Sequence, residues 1–526
     1  MSRGRSMRRI WRTLRRQLAA AEPGRVLITR RQMLTTSGLA AGGLLLGVRS
    51  FSGVASALTS DQSWRGASPP RIGIVGAGIA GVTAALILQD HGLPSSIYEA
   101  SRRIGGRMHS NHSFWQDGQT SEWCGEFIDS DHVLIRSLAR RFGLTLSDVV
   151  SAEPSNSQDT NYFGGYYTDE ELAHDMQAVT PVLAQQNQAI GPVVLYNHYN
   201  SAGYFFDHLS AYDWIEAYVP GGHGSRLGQY LDVAAVTEEG LNTSEQSSLN
   251  LIFPLHSDER YHIAHGNQQL PLLISRSLST GAINLGWRMT TVVANSDQTV
   301  TLTFETPSGE QSASFDYVIL ALPFSVLRGL DFSRAQFDAL KQTAINELGY
   351  GTNSKLILQF DNRYWNGRGA WPGVGDGFIQ TNLPFQSTWD SSRAEAGPDG
   401  LLTDYTGGTP GAAYQPTAPY TTSKVSQLTA SYASQFLAQL EIVWPGVSAH
   451  YNGRAALSYP TGDPNLLGSY SSYKVGQYTL FAGYEPLPQN RIHFAGEHTC
   501  YNFQGFMEGG AESGLRAANE IIAAVK

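Results

Sequence analysis

Residues 72–99 run from a short apolar segment (Ile72, Ile74, Val75) through Gly76-Ala77-Gly78-Ile79-Ala80-Gly81 and an alanine- and leucine-rich stretch to Glu99. The order is strand, glycine turn, helix, strand, acid. The first glycine permits a tight turn, the second lets a pyrophosphate approach backbone, and the third lets helix pack on strand. The helix N-terminus then faces phosphate. Glu99, 18 residues after Gly81, stands where an acid binds ribose hydroxyls. A chain that opens this way is held to a βαβ unit. The contact residues it implies are Gly76, Gly78, Ile79, Ala80, Gly81, Glu99 and Ala100.

A second glycine-rich, acid-bearing block lies at the far end, with Phe494-Ala495-Gly496-Glu497 followed by Gly505-Phe506-Met507-Glu508-Gly509-Gly510. Motifs at both ends imply one large cofactor gripped by both. At 526 residues the chain is long enough for two large domains.

Charge is unevenly placed. Residues 1–57 hold eleven Arg, no Lys and one acid; without them 25 bases face 44 acids, a balance of −19. An acidic body argues against nucleic acid as a partner and suits attraction of small cations. The basic end is an address. Thr29-Arg30-Arg31-Gln32-Met33-Leu34 is a twin-arginine pattern, followed by a Gly-rich apolar stretch (Leu39 to Val48) and Ala55-Ser56-Ala57 for cleavage. Residues 1–57 are therefore expected to be a twin-arginine signal and 58–69 a linker. The twin-arginine translocation machinery is an expected partner, and the mature protein is expected to be periplasmic or extracellular. The two cysteines, Cys124 and Cys500, have no metal spacing and are expected to be free thiols; the 14 histidines suggest no metal site.

Patterning predicts strands at 71–75, 96–99, 299–305, 314–322 and 355–360. It predicts helices at 82–90, 134–143, 422–443 and 509–525, with another opening at 267–271. A hairpin is expected at 161–167, and a mostly helical region at 170–250 interrupted at Pro220-Gly221-Gly222.

Arg103-Ile104-Gly105-Gly106-Arg107, taken with the C-terminal block, resembles the flavin-dependent amine oxidase family of monoamine, polyamine and L-amino-acid oxidases. The resemblance runs from about residue 70 to the end and is weakest across 150–250. It implies an α/β fold. A discontinuous Rossmann-like FAD domain would combine 70–145, 258–335 and 464–526, with a substrate domain of mixed sheet and helices at 146–257 and 336–463. It assigns cofactor contacts to Arg103, Gly105, Gly106, Arg107, Val292, Gly496, Glu497, Gly505, Phe506 and Met507. Some members attach FAD to a cysteine; here that position is Ser469, which implies non-covalent FAD. Lys355 resembles the family lysine that holds a water against the flavin. Tyr470 and Phe506 match two aromatic positions that sandwich the amine, with Phe506 replacing the usual tyrosine. Lys355, Tyr470 and Phe506 are thus the expected catalytic set.

Substrate cues lie in Glu122-Trp123-Cys124-Gly125-Glu126-Phe127-Ile128-Asp129. Phe127 and Asp129 are expected to meet substrate beside Tyr470 and Phe506. Asp129 falls where polyamine oxidases carry a carboxylate for a distal ammonium, or it caps the helix after His132. Ile128 occupies the place of the arginine that binds the substrate carboxylate in amino-acid oxidases. The resemblance implies oxidative deamination of a primary amine, aromatic at first choice, to aldehyde, ammonia and hydrogen peroxide with oxygen. The alternatives are an L-amino-acid oxidase, a polyamine or diamine oxidase, and, in another class, an FAD-dependent desaturase or isomerase or a non-catalytic FAD-binding protein. A second copy of the chain, in a homodimer, is a further expected partner.

Overall fold

The computed structural model describes residues 68–253 and 257–525. The expected signal segment lies outside them. Among the described residues no helix is long and apolar enough to cross a membrane.

Three larger sheets organise the molecule. The first strand, Ile72–Val75, is central to a five-stranded parallel sheet in the order 492–494, 317–320, 72–75, 95–99, 283–285. All four of its residues are buried, as the unbroken apolar run requires of a parallel strand covered on both faces. A four-stranded sheet follows, in the order 309–315, 300–306, 288–294, 331–334. The third sheet has seven strands, in the order 420–422, 451–458, 354–360, 400–406, 387–390, 374–381, 157–162. The strands of the first two sheets come from 70–145, 258–335 and 464–526; those of the third come from 146–257 and 336–463.

Helix Ile79–Asp90 is apolar all round, and residues 79–88 are all buried. Such a helix must be covered on more than one side. The closing helix, Met507–Val525, supplies that cover through small residues. A Cβ on Gly510 would stand 2.8 Å from Ile79 Cγ2, and one on Gly514 only 2.1 Å from the Ala80 carbonyl oxygen.

The region at 170–250 forms helices Asp169–Ile190, Ser201–Asp207, Ala211–Tyr218, Arg226–Glu239 and Leu249–Ile252. The first starts at a capping box, in which Thr168 Oγ1 accepts from the Glu171 N–H and the Glu171 carboxylate accepts from the Thr168 N–H. Its Leu172, Met176, Val179 and Leu183 follow helical spacing and share one core with Val292, Leu302 and Phe304 of the four-stranded sheet.

Two expected elements are redrawn. The run 314–322 is two strands, because Asp316 accepts from the Arg71 backbone N–H at 2.7 Å and from its guanidinium at 2.9 Å, so the chain leaves one sheet and enters another there. The helix expected from 422 begins at Gln427. Tyr420–Thr422 pairs instead with Ala456–Ser458, and Ser426 caps the helix by accepting from the Thr429 N–H.

Gly514→Ala should destabilise the protein by about 1–3 kcal/mol, since the methyl meets backbone that cannot yield without parting two helices. A urea midpoint equal to wild type would disprove this account of the helix contact.

Candidate active site

One cleft of about 1340 Å³, including its open mouth, runs along the C-terminal edge of the parallel sheet and is walled by both ends of the chain. Gly76, Gly78, Ile79 and Ala80 form one wall, where Gly76 has φ 104° and the helix 79–90 starts. A Cβ on Gly76 would sit 2.5 Å from the Ala321 carbonyl oxygen, and one on Gly81 2.0 Å from the Gly76 carbonyl oxygen. Gly81 is therefore a packing residue and does not line the cleft. A Cβ on Gly78 would meet nothing nearer than Gly106 Cα at 3.9 Å, so space is left at the phosphate-binding position of the turn. Glu99 and Ala100 line the cleft at the end of the second strand. The Glu99 carboxylate accepts from the Ala77 and Ser101 N–H groups, both at 2.8 Å, and still has lone pairs for a diol. These features fit a dinucleotide.

Arg103, Gly105, Gly106 and Arg107 continue the wall and meet Gly496, Glu497, Gly505, Phe506 and Met507. Gly105 donates its N–H to the Ala77 carbonyl at 3.0 Å, which fastens this segment to the glycine turn. Arg103 Nη1 donates to the Gly106 carbonyl at 2.7 Å. Arg107 Nη1 donates to Glu497 Oε1 at 2.7 Å and to the Ser469 carbonyl at 3.1 Å. Glu497 also accepts from the Ser471 N–H and hydroxyl and from the Gly505 N–H. Burial would raise the Glu497 carboxyl, but Arg107, His498 and these donors outweigh it and hold it at about 2.

Val292 does not reach the cleft. It is fully buried in the core of the four-stranded sheet, and Trp287, Arg288 and Met289, at the start of the same strand, line the cleft instead. The assignment was displaced three residues along a strand whose polar and apolar residues offer no fixed register.

Phe127, Tyr470 and Phe506 come together on the cleft as expected. The Tyr470 hydroxyl contacts the Glu238 and Thr237 carbonyls at 2.7 and 3.2 Å and the Tyr405 hydroxyl at 3.0 Å. Asp129 is turned away. It is 1% exposed, and its Oδ1 accepts from the Ser257 hydroxyl at 2.6 Å and the Glu259 N–H at 2.8 Å. Its Oδ2 lies 3.4 Å from Nε2 of His132, whose ring packs edge-on against Phe506. Nor does Asp129 cap the helix Val133–Arg141: Glu508, adjacent to Met507, accepts from the Leu134 and Ile135 N–H groups at 2.7 and 2.8 Å. Desolvation pushes the Glu508 carboxyl up to about 8.

Lys355 is 2% exposed, so it is not a surface residue, yet it does not line the cleft either. Its Nζ donates to the Glu122 carbonyl at 3.2 Å, the Cys124 carbonyl at 2.8 Å and Glu126 Oε2 at 2.8 Å. All three donors are engaged, so holding a water as well would require one of these bonds to open. Glu126, Trp389 and Tyr405 were not singled out by motif. In the seven-stranded sheet Lys355 is paired with Tyr405 and Tyr405 with Ser387, and Trp389 shares that face two residues on. The opposite face, with Leu356, Leu358 and Leu402, packs in the core under helix 427–443. The one early sign was an acid, Glu126, set between Trp123-Cys124-Gly125 and Phe127-Ile128. Burial raises and Lys355 lowers the Glu126 carboxyl, and the net shift is downward. Glu122, buried and bonded to Ser110 and the Asn267 N–H, is pushed up to about 8. Cys124 and Cys500 are free thiols and neither lines the cleft.

Glu497 makes the molecule acid-sensitive. Its folded value lies below the ordinary 4.5, so the stability it supplies is present above pH 4.5 and is lost as pH falls from there towards about 2. That contribution is on the order of 3 kcal/mol. Glu497→Gln should flatten the acid-unfolding profile in this window, and an unchanged profile would refute the assignment.

Comparison with known proteins agrees with this geometry. The family model for flavin containing amine oxidoreductase matches residues 79–522. An L-amino-acid oxidase of Mus musculus is 26% identical over 486 residues, covering 87% of this chain and 71% of that protein. Among solved structures, cyclohexylamine oxidase from Brevibacterium oxydans IH-35A has a TM-score of 0.73 at 18% identity, covering 87% of this chain and all of that one. Wild-type putrescine oxidase bound to putrescine has a TM-score of 0.66 at 18% identity, covering 87% of this chain and 99% of that one. With its residues fitted to FAD and its mixed α/β architecture shared with these enzymes, the chain belongs to the flavin containing amine oxidoreductase family and acts on CH–NH2 groups.

Proposed function

We propose that the protein oxidises a primary monoamine with an apolar or aromatic body, releasing aldehyde, ammonia and hydrogen peroxide with oxygen as acceptor. The observation that carries this reading is the polarity of the cleft. Phe127, Tyr470 and Phe506 present aromatic surface, and the three arginines on the cleft are each bound elsewhere. Arg103 bonds the Gly106 carbonyl, Arg107 bonds Glu497, and Arg288 bonds Asn465 at 2.9 Å. Ile128 is fully buried, and its N–H donates to the Tyr261 carbonyl. Arg226, the one arginine of the divergent 150–250 segment, lies 3.6 Å from Glu171 with 42% of its side chain exposed, and it is not on the cleft. Among the described residues, the cleft's Arg107 is already neutralised by Glu497, and Ile128 offers a substrate carboxylate no cation. With Asp129 turned away, a diamine's second ammonium would also lack the partner first assigned to it.

Bound FAD supplies the two-electron acceptor. The chain's own residues do the rest by placement. Tyr470 and Phe506 offer ring faces that attract an amine by cation–π contact, and Phe127 excludes water from it. No strong base is needed if the amine reacts as its neutral form. Non-covalent FAD is supported by Ser469, whose hydroxyl bonds Asn353 at 2.7 Å, and by two cysteines that stand off the cleft. The division into an FAD domain and a substrate domain is supported by the segregation of the three sheets. Export by the twin-arginine route to periplasm or exterior is supported by Arg30-Arg31 and Ala55-Ser56-Ala57.

The L-amino-acid oxidase reading is favoured by the name of the mouse relative, and it separates cleanly by experiment. Anaerobic mixing of holoenzyme with benzylamine or cyclohexylamine should bleach the flavin, and L-phenylalanine should not. Bleaching by L-phenylalanine at a comparable rate would replace the present reading with the amino-acid one. Tyr470→Leu should lower kcat/KM for the amine about tenfold through loss of a ring face. Arg30→Lys with Arg31→Lys should leave the protein in the cytoplasm, and normal export of that variant would argue against the signal.

A further inference from the structure

The Glu126 carboxylate, in the segment that carries Gly125 and Phe127 to the cleft, takes two donors from one face of the seven-stranded sheet. Oε2 accepts from Lys355 Nζ at 2.8 Å and Oε1 from Trp389 Nε1 at 2.9 Å. All three of Glu126, Lys355 and Trp389 are at most 2% exposed. We propose that Glu126 is a positioning residue that joins its own segment, on the cofactor wall of the cleft, to the seven-stranded sheet of the substrate wall, through both Lys355 and Trp389. The proposal rests on reading the cleft as an FAD and amine site.

Towards the cofactor, Lys355 draws in the carbonyls of Glu122 and Cys124, so the lysine and Glu126 bracket Gly125, which lines the cleft. Gly125 has little freedom of its own, because a Cβ there would stand 3.0 Å from the Met507 sulfur and 3.2 Å from the Arg107 carbonyl oxygen. Towards the substrate, the indole of Trp389 packs 5.8 Å from the Phe127 ring and 5.1 Å from the Tyr405 ring, and the Tyr405 hydroxyl meets that of Tyr470 at 3.0 Å. Lys355 Nζ also sits 5.3 Å over the Trp389 ring. A shift of Glu126 would therefore move Gly125, Phe127 and Tyr470 together.

The chemistry is specific to a carboxylate. Lys355 and the indole N–H both donate, and a carboxylate offers an acceptor to each. An amide offers one acceptor and one donor, so Glu126→Gln can satisfy one arm only and leaves Lys355 without its counter-charge. The two arms are therefore coupled, and a double-variant cycle reads that coupling.

The test uses holoenzyme carrying E126Q, W389F or both, with two readouts: the dissociation constant for FAD and KM for benzylamine. W389F removes the indole donor and no charge; it should raise KM about fivefold and leave FAD affinity within about twofold. E126Q should weaken FAD at least tenfold and raise KM as well. In the double variant the amide oxygen can face Lys355 with no indole opposing its NH2, though the counter-charge stays lost, so FAD should be weakened less than in E126Q alone and the two losses should not multiply. Losses that multiply in the double variant, or an E126Q enzyme with wild-type FAD affinity and KM, would overturn the proposal. If E126Q is recovered unfolded, W389F decides alone: wild-type KM there would overturn the proposal, and a raised KM with unmoved FAD affinity would support it. If no amine bleaches the flavin, the reaction assigned above fails, while the FAD-affinity cycle still tests the joint.

Discussion

The contact between Arg107 and Glu497 organises the rest of the site. It spans 390 residues of sequence and closes within 2.7 Å. Each member is tied to further backbone, Arg107 to the Ser469 carbonyl and Glu497 to the N–H groups of Ser471 and Gly505. Three distant segments thus converge on one buried pair. Such a pair is expensive to desolvate, and its bonds must be nearly complete to offset that cost. On the carboxylate they are, since Glu497 takes four donors, and the first and last glycine-rich blocks face each other across one cleft.

The buried acids around the cleft fall into two groups. Glu126 and Glu497 each face a cation and are held below the ordinary carboxylate range. Glu122 and Glu508 have hydrogen-bond donors but no cation bonded to the carboxylate, and burial drives both up to about 8. Burial is the largest single influence on all four, and only where a cation bonds the carboxylate do the other contacts together outweigh it. The consequence for function is that fixed negative charge at the cleft is neutralised locally, leaving the aromatic surface of Phe127, Tyr470 and Phe506 to meet a cationic or neutral amine.

The glycine turn, the helices at either end and the aromatic pair were legible in sequence because each depends on local geometry: a tight turn, an apolar helix, a side chain beside a motif. Glu126, Trp389 and Tyr405 were not, because their meaning comes from strand register. Only when strand 354–360 is paired with 400–406, and that with 387–390, do Lys355, Tyr405 and Trp389 share a face. Asp129 and Val292 failed for a related reason. Both stand near segments that do line the cleft, but Asp129 is captured by Ser257 and Glu259, and Val292 lies beyond the part of its strand that reaches the surface. The strand at 314–322 was misjudged because a single ion pair, Arg71 with Asp316, decides where one sheet ends and another starts.

The closing helix bears on the protein's biosynthesis. Met507 and Glu508 begin the last helix, and that helix covers the apolar helix 79–90 while its first turn completes the cleft. A nascent chain therefore has no finished cofactor site until residues 507–510 have left the ribosome, however early the glycine turn was made. Until then the flanks of helix 79–90 lack their cover, and the unfinished chain depends on whatever shields apolar surface in the cell. Loss of this helix would strand the N-terminal motif, and cofactor capture waits on its synthesis.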